Sequence, residues 1–206
     1  MYKILAASIF INILVMQKNS ANLDTLRLAV QPASFEIDSI TRRQSFRNAM
    51  SRLAAGVNIV TTDGLAGRAG FAATAICSVT DTPPTLLVCL NRNSSAFAAV
   101  NGNRTLCVNV LDDSHADLCR LFGGGTPLTQ RFSSGAWGVG DGGCPRLDGA
   151  LASFDCRITS MTSCGTHVVL LCEVNTVITH EGGSALIYFA RGYHTLAACQ
   201  TDTSSS

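Results

Sequence analysis

The residues of this chain best suited to chemistry gather between Ala69 and Ser95, in the run AGFAATAICSVTDTPPTLLVCLNRNSS. Its first half is crowded with small and hydroxyl side chains: Ala72, Ala73, Thr74, Ala75 and Ser78. A strand built only for packing favours bulky branched residues, which fill the space between layers. Small ones leave room for something flat and large to lie against the backbone. Further on, Asn91-Arg92-Asn93-Ser94-Ser95 precedes Ala96–Val100, a segment able to start a helix. Ser or Asn ahead of free backbone N–H groups favours an anion. A flat floor followed by a phosphate-sized cap suits a mononucleotide cofactor. The same residues also fit a plainer account, with a tightly packed strand and serines that only cap a helix. Arg92 either neutralises a phosphate or faces solvent.

Other chemistries find less support. Gly138-Val139-Gly140-Asp141-Gly142-Gly143 fits G-x-G-x-x-G, but Cys144-Pro145 follows it where a dinucleotide fingerprint needs a helix, so it reads as a surface loop. No G-x-x-x-x-G-K phosphate loop and no G-x-S-x-G nucleophile elbow occur. Cys164 lies near His167 in sequence, yet no orienting Asn or Asp identifies a thiol enzyme. The nine cysteines form no C-x-x-C pair, and metal-ligand spacing is absent. Cys77, Cys89, Cys107 and Cys172 alternate with apolar residues, as small buried hydrophobes of a reducing compartment do.

The elements that must carry these residues are mostly strands. Gly56–Thr62, Ala69–Thr80, Thr85–Leu90, Arg104–Leu111, Leu151–Met161, Thr166–Thr179 and Ala185–Ala190 are rich in Val, Ile, Leu and Thr. Asp63-Gly64 and Asp81-Thr82-Pro83-Pro84 mark turns. Asp38 or Ser39 caps an amphipathic helix to about Leu53, with Phe46, Ala49, Met50 and Leu53 on one face. Short helices are expected over Ser114–Phe122, ended by three glycines, and over Leu128–Phe132, before a glycine-rich loop, Gly135–Gly143. Strands joined by short turns, with few helices between, predict a mainly β, antiparallel barrel rather than βαβ units.

Composition sets the outer limits. With 206 residues, 47% hydrophobic, the chain can bury a substantial core in one domain. A net charge of +1 and no basic cluster argue against a nucleic-acid partner. Ile4–Met16 follows Lys3 and is mostly apolar, but a membrane span needs about 20 such residues, and no small-x-small cleavage site follows. Residues 1–33 hold both lysines and none of the eighteen glycines. They read as an N-terminal extension, as the product of a start site placed too early, or as a short secretory signal.

Several motifs together carry a family resemblance: Phe46-Arg47-Asn48-Ala49-Met50, Val57-Asn58-Ile59-Val60-Thr61-Thr62, Thr74-Ala75-Ile76-Cys77-Ser78-Val79-Thr80-Asp81-Thr82-Pro83-Pro84, Leu106-Cys107-Val108-Asn109-Val110, Gly165-Thr166-His167 and Tyr188-Phe189-Ala190-Arg191. With them the chain, from about Arg43 to Leu196, resembles the short-chain flavin reductases that serve two-component monooxygenases. It is most similar to those of the pyrimidine-utilisation branch, with reductases of 4-hydroxyphenylacetate hydroxylases as near relatives. The resemblance implies an antiparallel split β-barrel over residues 34–198, with 199–206 as a tail. It implies an NADH-dependent reductase of FMN, with FAD as the alternative flavin, acting as a cytoplasmic homodimer that passes reduced flavin to a flavin-dependent monooxygenase. The other readings are the reductase of an aromatic hydroxylase and a non-catalytic flavin-binding split-barrel protein.

The same resemblance assigns residues. Ala73, Thr74, Ala75, Ile76, Cys77 and Ser78 would meet the isoalloxazine edge, while Asn91, Ser94 and Ser95 would hold the ribityl phosphate. His167 would stand at the flavin–nicotinamide site, with Thr166 in place of the family's Asp. Arg191 would balance the charge of reduced flavin or of the NADH pyrophosphate.

Overall fold

The computed structural model describes residues 38–198, in two units that meet in sequence between Met50 and Ser51. The expectations for residues 1–33 and 199–206 lie outside the described residues. The first unit contributes helix α1, residues 38–50, begun by Asp38, whose carboxylate takes an i,i+4 ion pair from Arg42 at 2.7 Å.

The second unit is built from strands, as expected. They are β1 Ala55–Gly56, β2 Asn58–Thr62, β3 Ala69–Ala73, β4 Ile76–Asp81, β5 Pro84–Asn91, β6 Thr105–Val110, β7 Trp137–Val139, β8 Pro145–Leu147, β9 Ala152–Cys164, β10 His167–Thr179, β11 Ser184–Phe189 and β12 Gly192–Ala197. Helix α2, Phe97–Asn103, follows β5. A short 3-10 turn, Asp113–His115, leads into α3, Ala116–Phe122, and then into α4, Leu128–Arg131.

Seven strands form one antiparallel sheet in the order β3-β2-β6-β9-β10-β5-β4. A second sheet, β1-β11-β12, and a β7–β8 hairpin complete the unit. The expected single strand over Ala69–Thr80 is in fact two. β3 pairs with β2 at one edge and β4 with β5 at the other, and only Thr74 and Ala75 lie between them. Two residues can join opposite edges only if the sheet curls until those edges approach. Ala75 O accepts a backbone hydrogen bond from Cys89 N at 3.1 Å, which extends the β4–β5 pairing by one residue. The sheet thus has a seam where β3 ends and the chain crosses to β4.

β2 shows why the sheet has cover on both sides. Ile59 and Val60 are consecutive and point to opposite faces, yet both are fully buried. Val60 joins Val88, Leu90, Val100, Leu106, Val108 and Leu170 in one core. Ile59 joins Val57, Leu111, Cys119, Phe122, Leu147 and Leu186 in a second, beneath α3 and the smaller sheet. All five residues of β2 are buried, and its threonines are satisfied by backbone carbonyls: Thr61 Oγ1 donates to Pro145 O and Thr62 Oγ1 to Thr105 O.

Two further departures from the sequence reading are local. The glycine-rich loop contains β7, which pairs with β8, and Gly140 just beyond it passes so close to the buried Asp155 that a Cβ there would sit 2.3 Å from Oδ1. Cys107 and Cys172 are buried as expected, but Cys77 is exposed, since β4 is an edge strand. Among the described residues no helix is long and apolar enough to cross a membrane, and none of the eight described cysteines forms a disulfide.

Candidate functional site

A cavity of about 560 Å³ opens at the seam, within the range of small-molecule sites, roughly 300–1,000 Å³. Its floor is the end of β3 and the crossing that follows, Phe71 to Ala75. Of the five small residues that the sequence singles out, Ala72, Ala73, Thr74 and Ala75 line it and Ser78 does not. Cys89, Leu90 and Asn91 of β5 form one wall, and Phe122 with Gly123, Gly124 and Gly125 forms another.

The segment after β5 is shaped by local hydrogen bonds. Asn91 Oδ1 accepts from Asn93 N at 2.9 Å, and Ser94 N donates to Asn91 O at 2.9 Å. Ser94 and Ser95 both line the cavity. Neither caps α2 in the expected way: the cap position is Ala96, which has no side-chain bond to offer, and the helix is only seven residues long. Ser94 Oγ instead accepts from Ala96 N at 3.3 Å, while Ser95 Oγ accepts from Arg131.

His167 opens β10 opposite Asn91, with Cys164 of β9 on its other side, and it lines the cavity. Gly165, at φ 56°, supplies the left-handed turn that joins β9 to β10. Arg92 fastens this turn to the end of β5. Its backbone N–H donates to Thr166 O at 3.0 Å, and its guanidinium Nη2 donates to Gly165 O. Arg92, which is not among the cavity's lining residues, is a clasp on the turn that carries His167. Thr166 Oγ1 lies 2.9 Å from His167 Nδ1.

Four expected residues lie elsewhere. Ile76, Cys77 and Ser78 belong to β4 and line no part of the cavity. Arg191 sits at φ 66° in the turn between β11 and β12, away from the cavity lining. The resemblance implies one continuous flavin contact from Ala73 to Ser78, whereas past Ala75 the chain has already crossed to the far edge of the sheet.

One residue was not anticipated. Arg131, the last residue of α4, lines the cavity and is only 4% exposed. It donates to Gly70 O at 2.6 Å, Ser95 Oγ at 3.0 Å and Thr126 O at 3.0 Å. Its burial pushes the guanidinium pKa down from its ordinary value. Gly70 is obligatory beside it, because a Cβ would stand 2.7 Å from the Phe122 ring and 3.1 Å from Val60 O. The pKa of the Cys89 thiol in the wall is pushed up, first by burial and then by the neighbouring Cys77 and Cys164.

A mostly apolar floor, a cluster of hydroxyls and a buried cation fit a flat ring with an anionic tail. Comparison with known proteins agrees. The family described as flavin reductase like domain matches residues 50–197. A protein of Rhizobium rhizogenes named FMN reductase (NADH) RutF 2 is 58% identical over 165 residues, covering 80% of this chain and 94% of its own. A solved structure from Haemophilus somnus, described as a candidate flavin reductase, is 42% identical with a TM-score of 0.72, over 74% of this chain and 98% of its own. BorF, the flavin reductase component of a bacterial two-component tryptophan halogenase, superposes with a TM-score of 0.71 at 26% identity, over 76% of this chain and 99% of its own.

Proposed function

The chain belongs to the flavin reductase like domain family, and from that premise we propose that it is an NADH-dependent FMN reductase working through the seam cavity. The observation that carries the reading is the floor: at Ala72–Ala75 the chain leaves its own sheet open where a packed strand would fill the space. FMN, when bound, supplies the chemistry by taking hydride from NADH and leaving in reduced form.

The protein's own work is binding and alignment. Ala73, Thr74 and Ala75 offer backbone groups and one hydroxyl to a ring edge, and Ser94, Ser95, Asn91 and Arg131 offer donors to a phosphate. His167, held by the clasped turn, orients the second ring against the first. Hydride transfer needs no protein acid or base, so the residues act by positioning. Alignment of two reactants is worth at most roughly 7–11 kcal/mol of barrier. Ile76, Cys77, Ser78 and Arg191 drop out of this reading.

The reduced flavin passes to a flavin-dependent monooxygenase, and the similarity to the RutF proteins points to a pyrimidine-ring-opening oxygenase. A homodimer fits the apolar side chains that the unit leaves in water, among them Leu53, Leu65, Val79, Val139, Val177 and Leu196. The eight described cysteines, none of them in a disulfide, suit a reducing cytoplasm.

The test is NADH consumption by the purified full chain, with and without added FMN. Saturable acceleration by FMN supports the reading. FMN binding without any acceleration leaves a flavin-binding protein that is not a reductase.

A further inference from the structure

Of the five residues from Asn91 to Ser95, four line the cavity: Asn91, Asn93, Ser94 and Ser95. The fifth, Arg92, is exposed and bonds instead to Gly165 and Thr166, the two-residue loop between β9 and β10. Gly165 stands first in that loop at φ 56°, where a tight hairpin turn favours glycine. Carbonyls at such a tip ordinarily face water. Here Arg92 takes both, Thr166 O through its backbone N–H at 3.0 Å and Gly165 O through Nη2. Among the described residues no carboxylate forms an ion pair with this guanidinium, so a charged donor is committed to a loop carbonyl. Thr166 Oγ1 in turn lies 2.9 Å from His167 Nδ1. A run of bonds therefore leads from the segment after β5 to the imidazole.

We propose that Arg92 is a positioning residue that transmits flavin occupancy to His167. Resting on the reductase reading, FMN settles against Asn91, Asn93, Ser94 and Ser95, and ordering that segment orders Arg92 within it. The guanidinium then holds the Gly165–Thr166 loop, and the loop holds the imidazole. The clasp passes on whatever order the segment has, so a bound flavin stiffens the loop in advance of NADH. Order already imposed by the first ligand need not be imposed again by the second. Arg92 itself touches neither flavin nor nicotinamide in this scheme.

The experiment follows amide hydrogen exchange of the full chain with and without FMN, for the wild type, Arg92→Met and Arg92→Lys. Anaerobic stopped-flow reduction at saturating FMN is measured alongside. Every variant keeps the backbone bond to Thr166 O, so only the guanidinium is tested. In the wild type, FMN should slow exchange across Thr166, His167 and Val168. In Arg92→Met that slowing should shrink by at least about threefold, while FMN affinity changes less than about twofold. Hydride transfer should slow by about three- to tenfold in Arg92→Met and by less in Arg92→Lys, which keeps a charged donor. In a His167→Ala background, Arg92→Met should add less than about twofold, because residues acting through one another are not additive. Equal slowing with and without the imidazole would show a merely structural residue and overturn the proposal. So would undiminished protection of the loop by FMN in Arg92→Met. A loss of FMN affinity matching the loss of rate would make Arg92 a flavin ligand and overturn it too. Arg92→Lys gives the same readings from a milder change, so a Met chain that fails to fold leaves the proposal decidable. Wild-type protein that binds no FMN would overturn the reductase reading itself, whereas FMN binding without protection of the loop overturns only this coupling.

Discussion

The hydroxyl of Thr166 meets Nδ1 of His167 at 2.9 Å, on a turn that Arg92 pins to the end of β5. Whichever atom donates, the bond fixes the rotation of the imidazole and leaves Nε2 as its other polar atom. Thr166 is therefore a positioning residue for a ring that lines the cavity. Thr166→Val, which keeps the shape and loses the hydroxyl, is expected to slow anaerobic flavin reduction by about fivefold, the size of one net hydrogen bond. FMN affinity should stay unchanged, and Thr166→Ser should restore the rate. A Val variant as fast as the wild type in stopped-flow would remove Thr166 from the account.

His167 itself is exposed and makes no bond that the core depends on. His167→Ala should therefore leave the melting temperature nearly unchanged, as surface substitutions do within about 0.5 kcal/mol. It should still slow hydride transfer. Coupled loss of stability and rate would point to a structural role instead.

Thr74 marks the point where β3 ends and the chain crosses the seam. Thr74→Leu adds bulk to the floor while leaving strands β3 and β4 intact. The expected result is a loss of FMN affinity of at least about tenfold, with normal folding by circular dichroism. Unchanged affinity would place the flavin ring somewhere other than this floor.

Much of this was legible in the sequence, and the exceptions share a cause. The strands, the turns at Asp63-Gly64 and Asp81–Pro84, and the smallness of Ala72–Ala75 are local properties that composition and turn chemistry report directly. That Ala69–Thr80 is split between the two edges of one sheet is not local: it follows from the curl of seven strands, and no residue at Thr74 announces it. Arg131 was invisible for the same reason. An arginine ending a four-residue helix looks like a surface charge until Gly70 and Ser95 are brought against it from 61 and 36 residues away. Cys77 looked buried because its strand is apolar, and only the sheet order shows it to be an edge.

Gly70 links the floor to the second core. A Cβ there would press on the Phe122 ring, which is itself buried and stacked edge-on against Phe132 at 5.2 Å. Gly70→Ala is expected to cost about 1–3 kcal/mol, as overpacking does, and to lower the melting temperature by roughly 2–12 °C. A melting temperature equal to the wild type would mean that the ring yields freely.

Asp155 gives a pH dependence with a definite sign. It is 3% exposed, its Oδ2 accepts from Asp141 N at 3.0 Å, and its Oδ1 has no partner among the described residues. Burial, the largest influence, raises its pKa above the usual 3.8. The folded state then holds the proton at pH values where the unfolded chain has lost it. Its contribution is fully present below about 3.8 and declines as pH rises through the raised value. Asp155→Asn should flatten that decline in denaturant titrations across mildly acidic pH. An unaltered slope would mean that Asp155 does not titrate there.

The central claim, that the seam between β3 and β4 is the flavin site, is tested most directly by a crystal structure of the full chain soaked with FMN. The account predicts the ring lying against Ala72–Ala75, with the phosphate within hydrogen-bond distance of Arg131 and Ser95. An FMN ordered elsewhere on the protein, with this cavity left without it, would contradict the account.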